Sequence, residues 1–332
     1  MNYIGSKYRL TQFITSSIEG VVSGASGKVI CDIFAGTGAV GRAFKRSSKK
    51  IIANDAEYYS FVLNKHYIGN HTKLDYLPHL IELNRLNGEK GFIFRNYCLG
   101  GGSGRQYFSD ENSMRIDAIR MRIERWFSNE EIDDRLYFLF LTSLLEAADA
   151  VANTASVYGA FLKHLKKTAQ KELRLEIPNY DLNDAEHDIF NEDANELIRK
   201  IEGDILYMDP PYNHRQYGAN YHLLNTIAKY DEFVPSGKTG LREYKRSAWC
   251  MRNKVADVFE DIIKNANFEY IFLSYNNEGL MSIEDVRRIM ERYGEYDLIQ
   301  TNYQRFKADK TEARNHKASA TVEYLHVLRK AQ

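Results

Sequence analysis

An open α/β sheet interrupted by a mainly helical insert is the fold class that the 332-residue sequence predicts. Three observations predict it. Residues 28–34 form an apolar run that passes into Ala35-Gly-Thr-Gly-Ala-Val-Gly41 and a short helix through Ala43 and Phe44. That order is strand, Gly-rich turn, helix. Residues 205–208 form a second unbroken apolar run, which ends at Asp209-Pro-Pro-Tyr212 and reads as a buried strand. Between residues 72 and 180 no alternation of strand and helix is visible, so that stretch reads as the insert.

Composition narrows the class further. Formal net charge is zero, and the only unusual count is 23 tyrosines. A globally basic nucleic-acid binder is thereby excluded, but a local basic face is not. Cys31, Cys98 and Cys250 are odd in number and widely spaced, with neither metal-ligand nor disulfide spacing. A reducing cytosol is the expected compartment. No apolar run reaches the roughly 18 residues of a membrane span, and no signal peptide opens the chain. Neither a metal nor a membrane partner is expected.

The chain opens on Asn2-Tyr-Ile-Gly-Ser-Lys7. Leu10, Phe13, Ile14, Ile18 and Val21 follow at helical spacing and predict a helix from near Tyr8. Gly5 and Ser6 allow a tight turn into it, with Lys7 at its mouth. The plainer alternative is a capped surface helix. In the next unit, Gly36 and Gly38 let the backbone turn sharply and come close to a ligand. Gly36-x-Gly38-x-x-Gly41 also has the form of the dinucleotide fingerprint. A second strand, residues 51–55, ends in Asp55 about 20 residues on, where an acid accepts from ribose hydroxyls. This is a nucleoside-binding unit. Nicotinamide dinucleotides and S-adenosyl-methionine both carry adenosine, and these residues leave both open.

Helices are expected over residues 58–67, 74–86 and 132–149, and a short strand at residues 92–94. Residues 99–108 form a Gly-rich loop ending in Arg105, Gln106, Tyr107 and Phe108. Ser109 has N-cap character. Behind it Ile116, Ile119, Ile123 and Trp126 mark one helix face, and Arg115, Arg120, Arg122 and Arg125 cover much of the rest. Such a face is either solvated or in contact with phosphate. Residues 163–167 and 171–174 add further positive charge. A short strand over residues 189–193 ends in Asp193, an acid able to take an adenine amino hydrogen, and a helix follows over residues 194–201.

Pro210 and Pro211 have no N–H to give a sheet, and each holds φ near −65°. Asp209 therefore stands at a strand end on a stiffened loop, with the aromatic Tyr212 just beyond. Ligands bind at the strand ends of open α/β sheets. A carboxylate, a rigid turn offering carbonyls and an aromatic face suit a planar amine. The bland alternative is a Pro-Pro turn with a surface tyrosine. Between Lys238 and Lys254 lie six basic residues against the single acid Glu243, with Tyr244 and Trp249 interleaved. Counterion release on phosphate binding needs such a cluster. Strands are expected at residues 270–274, 298–303 and 321–328, and a helix at residues 283–290. A basic connection over residues 304–317 carries Phe306.

Taken in order, these pieces resemble the class I N6-adenine DNA methyltransferases of the α-group, the modification enzymes of type II restriction–modification systems. Asn2 to Lys7 is similar to the family's N-terminal motif, which touches the methionine end of the cofactor and implicates Tyr3 and Lys7. Asp32-Ile-Phe-Ala-Gly-Thr-Gly38 is similar to the Gly-rich cofactor motif, which implicates Asp32, Phe34, Gly36 and Gly38. Asn54-Asp55 resembles the ribose-binding acid, and Asn191-Glu-Asp193 the adenine-binding motif. Asp209-Pro-Pro-Tyr212 is similar to the catalytic signature, and Asp209 also lies near the cofactor.

The resemblance implies a Rossmann-like, S-adenosyl-methionine-dependent fold. Its sheet would have seven mostly parallel strands with an antiparallel last one. Residues 1–70 and 185–332 would form one discontinuous catalytic domain, and residues 71–184 a target recognition insert. Residues 236–255 would be a basic DNA-contacting loop. S-adenosyl-methionine would leave as S-adenosyl-homocysteine, with no metal involved. The partner would be duplex DNA, contacted by Arg105, Lys238, Arg242, Lys245 and Arg246. Asp209 and the Pro210 carbonyl would accept from the adenine amine, and Tyr212 and Phe306 would wall a flipped base. A cognate restriction endonuclease would act separately, in a bacterial or phage-infected cytosol near the nucleoid. Three rivals stand beside this reading: an RNA adenine-N6 methyltransferase, a nicotinamide-dependent oxidoreductase, and a DNA-binding module that kept the fold without the chemistry.

Overall fold

The computed structural model describes residue 7, residues 10–304 and residues 320–331. Tyr3 and Phe306 lie outside the described residues. By its contacts the chain divides into two compact units. One comprises Ser6–Ala56, Asn183–Gln216 and Arg246–Gln332; the other comprises Met1–Gly5, Glu57–Leu182 and Tyr217–Lys245.

The first unit holds the whole sheet. Its strands are β1 (Val29–Asp32), β2 (Lys50–Asn54), β3 (Asp188–Phe190), β4 (Glu202–Met208), β5 (Asn267–Asn276), β6 (Gly294–Gln304) and β7 (Ala320–Lys330). Their order is β3-β2-β1-β4-β5-β7-β6. The first five are parallel neighbours, and β7 runs antiparallel between β5 and β6. The expected seven-stranded sheet with an antiparallel last strand is present. β1 and β4 are buried at Ile30, Cys31, Ile205, Leu206, Tyr207 and Met208, as central parallel strands covered on both faces must be. On one face Phe259, Ile262 and Ile263 of the helix Val255–Asn265 join Val286, Ile289 and Met290 of the helix Ile283–Met290 against Leu206, Met208, Ile271 and Leu273. The N-terminal helix runs over Thr11–Val22 and buries Ile14, Ile18 and Val22.

This strand order reverses between β1 and β4. The chain proceeds outward from β1 through β2 to β3, then returns to β4 on the other side. The carboxyl ends of β1 and β4 therefore flank a topological switch point, where connections diverge and leave a crevice. Asp32 is the last residue of β1, and Asp209 directly follows β4.

The second unit is helical. Its main helices are Tyr58–Asn64, Leu77–Arg85, Phe92–Tyr97, Asp110–Ser128, Asp134–Val151 and His222–Lys229. They share one apolar core built from Tyr59, Ile93, Ile119, Leu144, Leu224 and their neighbours. Phe92–Tyr97 corrects the strand expected there. The reason is a remote cap. The Asp117 carboxylate accepts from the backbone N–H groups of Gly91 (3.0 Å), Ile93 (2.8 Å) and Phe94 (2.8 Å). It thus satisfies donors that a helix leaves open at its start.

Part of the arginine face of Asp110–Ser128 is a second correction; Arg125 is exposed, but Arg115, Arg120 and Arg122 are engaged within the helical unit. Arg120 is buried and donates to the carbonyls of Ile227 (3.2 Å) and Ala228 (3.1 Å). Arg115 donates to the carbonyls of Leu173 (3.0 Å) and Asn84 (3.2 Å). Arg122 pairs with Glu82. Arg115 and Arg120 fasten the helical unit through backbone carbonyls, and Arg122 adds a surface ion pair.

Candidate active site

The Gly-rich turn joins β1 to the helix Ala39–Phe44. Gly36 has φ 53° and Gly38 has φ 75°, a left-handed conformation that glycine adopts without strain. Gly38 is also the N-cap of the helix. The turn is held from β2: the Gly36 N–H donates to Asp55 Oδ2 at 2.8 Å. Asn54, one residue earlier and buried, ties three strand ends together. Its amide donates to the carbonyls of Ile33 and Glu192, each at 3.1 Å, and its oxygen accepts from the Glu192 N–H at 2.9 Å. The Asn191 amide donates to the Asp55 carbonyl at 2.7 Å. Asp193 caps the short helix Ala194–Leu197, accepting from the Asn195 N–H at 3.0 Å. Phe34 stands edge-on to Trp249 at 4.9 Å and keeps part of its ring exposed.

Across the switch point, the acid after β4 meets a cation from the N-terminal motif. Lys7 Nζ lies 3.0 Å from Asp209 Oδ1 and 3.8 Å from Glu323 Oε2. The same ammonium sits 5.6 Å from the centre of the Tyr212 ring. Tyr212 in turn packs edge-on against Tyr275 at 6.3 Å, and its carbonyl accepts from the Leu280 N–H at 3.0 Å. The Tyr275 hydroxyl accepts from Leu280 N–H at 3.1 Å, so the wall behind Tyr212 is itself pinned.

Charge in this crevice is unbalanced toward the acids. Asp32 is buried, and its Oδ1 has no hydrogen-bond partner among the described residues. Burial drives its carboxyl well above the usual range, helped by Asp209 and Asp55. Burial also lifts Asp209 to about 6, against the pull of Lys7 and with the push of Glu323. Burial opposes the charge on Lys7, but Asp209 and Glu323 outweigh it and hold the ammonium protonated. A ligand bearing positive charge relieves such a cluster, as a sulfonium or a protonated amino group does. The orphaned Asp32 oxygen, the open Gly-rich turn and the acid at Asp55 therefore fit S-adenosyl-methionine, with its ribose, ammonium and sulfonium.

Comparison with known sequences decides the family. The D12 class N6 adenine-specific DNA methyltransferase family matches residues 3–289. A Type II methyltransferase, M.NlaIII, from Neisseria lactamica is 58% identical over 99% of this chain and 99% of its own. The chain belongs to the D12 class N6 adenine-specific DNA methyltransferases. The Type II methyltransferase M.CviAII from Paramecium bursaria Chlorella virus 1 is 39% identical over 93% of each chain. The Type II methyltransferase M.FokI from Planomicrobium okeanokoites is 37% identical over 99% of this chain, which spans 53% of that longer protein. Membership in this family makes the chain a DNA adenine methyltransferase, and the nicotinamide and RNA readings fall away. S-adenosyl-methionine is the donor that the family and fold imply.

The cations expected to meet DNA divide into two kinds in this methyltransferase. Arg105 donates to the carbonyls of Asn96 (3.2 Å) and Gly237 (3.0 Å). Arg242 grips both Asp231 oxygens, at 2.9 and 2.8 Å, and stacks on Phe233 at 5.0 Å. Arg105 thus ties its own Gly-rich loop to Gly237, and Arg242 ties the basic loop to Asp231. Lys238, Lys245 and Arg246 are exposed.

Two residues of the site escape the sequence. Glu323 and Asn276 face each other across the β5–β7 ladder, and the Asn276 side chain hydrogen-bonds the Glu323 carboxylate. Nothing in the local pattern of β7 marks Glu323 as more than a polar position on a strand.

Proposed function

We propose that the chain methylates N6 of an adenine flipped out of duplex DNA, with Asp209 and the Pro210 carbonyl as acceptors for the amine. The observation that carries this reading is the Lys7–Asp209 pair at 3.0 Å beside the Gly-rich turn of the switch point. When bound, S-adenosyl-methionine supplies a methyl group on a sulfonium. Lys7, Asp32, Phe34, Gly36, Gly38, Asp55, Asp193 and Asp209 are the residues of the described chain that would hold it. Tyr3 belongs to the same expected set.

Adenine N6 is a weak nucleophile because its lone pair is delocalised into the ring. Asp209 accepts one N6–H and the Pro210 carbonyl the other, which favours a tetrahedral nitrogen. Positive charge grows on that nitrogen as it attacks. Asp209 then interacts more strongly with the transition state than with the ground state. The two prolines fix the acceptor geometry before the base arrives. No strong base is required, since the proton leaves after transfer. A duplex hides N6 in the stack, so the base must be extruded. Tyr212, backed by Tyr275, offers the face on which it stacks, and Phe306 is expected to supply another wall.

Lys238, Lys245 and Arg246 are proposed phosphate contacts on the loop over residues 236–255, which Arg105 and Arg242 shape. Residues 71–184 are proposed to carry target recognition, within a catalytic frame of residues 1–70 and 185–332. Relatives named modification methylases support a role as the modifying half of a restriction–modification pair in a bacterial or phage-infected cytosol. A cognate endonuclease acting separately is the corresponding partner. Among the described residues no helix is long and apolar enough to cross a membrane. The test is transfer of labelled methyl from S-adenosyl-methionine to duplex DNA, followed by nucleoside analysis. Label in N6-methyladenine supports the reading; label in methylcytosine, or none, overturns it.

A further inference from the structure

We propose that Glu323 is a positioning residue that draws the Lys7 ammonium away from Asp209, so that the Asp209 carboxylate is available to the adenine amine. The inference rests on the proposed role of Asp209. Two acids contend for one buried cation. Lys7 is 6% exposed and Glu323 is 7% exposed, so neither charge is satisfied by bulk water. Lys7 stands nearer Asp209, at 3.0 Å against 3.8 Å. Asp209 Oδ1 and Glu323 Oε2 are alike in this: each is buried, neither accepts a hydrogen bond from any other group among the described residues, and both face Lys7. Asn276 fixes that carboxylate from the opposite strand.

This arrangement has a consequence for the chemistry. An acceptor already engaged by an ammonium is a poorer acceptor for a weakly acidic amine N–H. As the amine takes its place on Asp209, the ammonium needs another carboxylate within reach, because a buried unpaired cation is strongly disfavoured. Glu323 is that carboxylate, held one short displacement away. With Lys7 on Glu323, the charge left over is the negative one on Asp209, facing the nitrogen where positive charge develops. The charged and titratable groups around the pair are Asp32, Tyr207, Tyr212 and Glu278. Burial raises the Tyr207 and Tyr212 phenols and keeps them neutral, so neither adds a further anion to compete for the ammonium.

Glu323→Gln keeps the shape and removes the charge. The ammonium then stays on Asp209. The expected result is a kcat about tenfold lower with the KM for S-adenosyl-methionine changed less than about twofold. The acid limb of the rate profile moves to lower pH, because Asp209 loses a repelling neighbour and keeps its cation. A readout independent of turnover is the titration of Asp209 in the free protein, followed by NMR with carboxyl-labelled aspartate. It moves to lower pH in Glu323→Gln and returns toward the wild-type position in Glu323→Asp. Wild-type kcat and an unmoved Asp209 titration in a folded Glu323→Gln protein overturn the proposal. So does a loss of kcat that merely tracks a loss of thermal stability with the titration unmoved. If instead the wild-type protein methylates no adenine, the reading of the whole site fails; an active wild type matched by Glu323→Gln defeats the role of Glu323 alone.

Discussion

The Lys7 ammonium stands 3.0 Å from Asp209, joining the N-terminal motif to the turn after β4. Burial places the Asp209 carboxyl at about 6 even with that cation beside it. The acceptor form is the ionised one, and its folded pKa is raised. Activity is therefore full above that value and falls as pH drops through it. The profile of kcat/KM for DNA should show an acid limb near pH 6, one proton steep, since it reports the free enzyme. In Lys7→Met the limb should move to higher pH. A limb that stays below pH 5 in both proteins would remove Asp209 from the role of titrating acceptor.

Tyr212 packs edge-on against Tyr275 with the Lys7 ammonium over its ring, and it is proposed to stack on the flipped base. Stacking of that kind contributes about 1–3 kcal/mol per base. Tyr212→Ala should lower kcat/KM about ten- to hundredfold, while Tyr212→Phe stays within about threefold of wild type. Steady-state kinetics on a duplex with one target adenine measures both. Equal losses in the two variants would point to the hydroxyl and away from stacking.

On the basic loop Arg242 is held by Asp231, while Lys245 and Arg246 are exposed and are proposed to contact phosphate. Lys245→Ala with Arg246→Ala should reduce DNA affinity and flatten the dependence of log K on log salt by about two. Arg242→Ala should leave that slope unchanged, because Arg242 is engaged with Asp231. Binding titrations at several salt concentrations give all three slopes. An unchanged slope in the double variant, or a slope lowered in Arg242→Ala, reverses the assignment.

Asn54 is the buried link among the ends of β1, β2 and the loop after β3. Replacing it by alanine leaves buried carbonyls and an N–H without partners, each worth about 1–3 kcal/mol. Asn54→Ala should destabilise the protein by about 2–4 kcal/mol. It should also weaken S-adenosyl-methionine binding, because Asp55 holds Gly36 from the adjacent position. Chemical denaturation and calorimetric titration test the two effects. A loss below about 1 kcal/mol would show that neighbouring groups take over its bonds.

The residues that were legible in the sequence are those whose chemistry is local. Asp209-Pro-Pro-Tyr212 announces a strand end and a rigid turn by itself, and Gly36 and Gly38 announce a backbone that must turn with positive φ. The helix expected at residues 283–290 is found at Ile283–Met290, where Ser282 and Asp285 form a capping box. What was not legible depends on partners far along the chain. Phe92–Tyr97 looks like a strand until Asp117 arrives to cap it, more than 20 residues later. Arg115 and Arg120 look like solvated charge until backbone carbonyls of other segments accept from them. Glu323 gains its meaning from antiparallel pairing with β5 and from Lys7 at the other end of the sequence. None of these pairings leaves a period or a spacing to read.

The most direct test of the central claim is the methylation state of plasmid DNA from cells expressing either the wild-type protein or Asp209→Ala. Single-molecule mapping reads N6-methyladenine at each site, and calorimetry checks that the variant still binds S-adenosyl-methionine. N6-methyladenine is expected at one recurring sequence with the wild-type protein, and methyl transfer reduced by about a thousandfold or more in the variant with donor binding retained. Wild-type levels of N6-methyladenine in Asp209→Ala would contradict it.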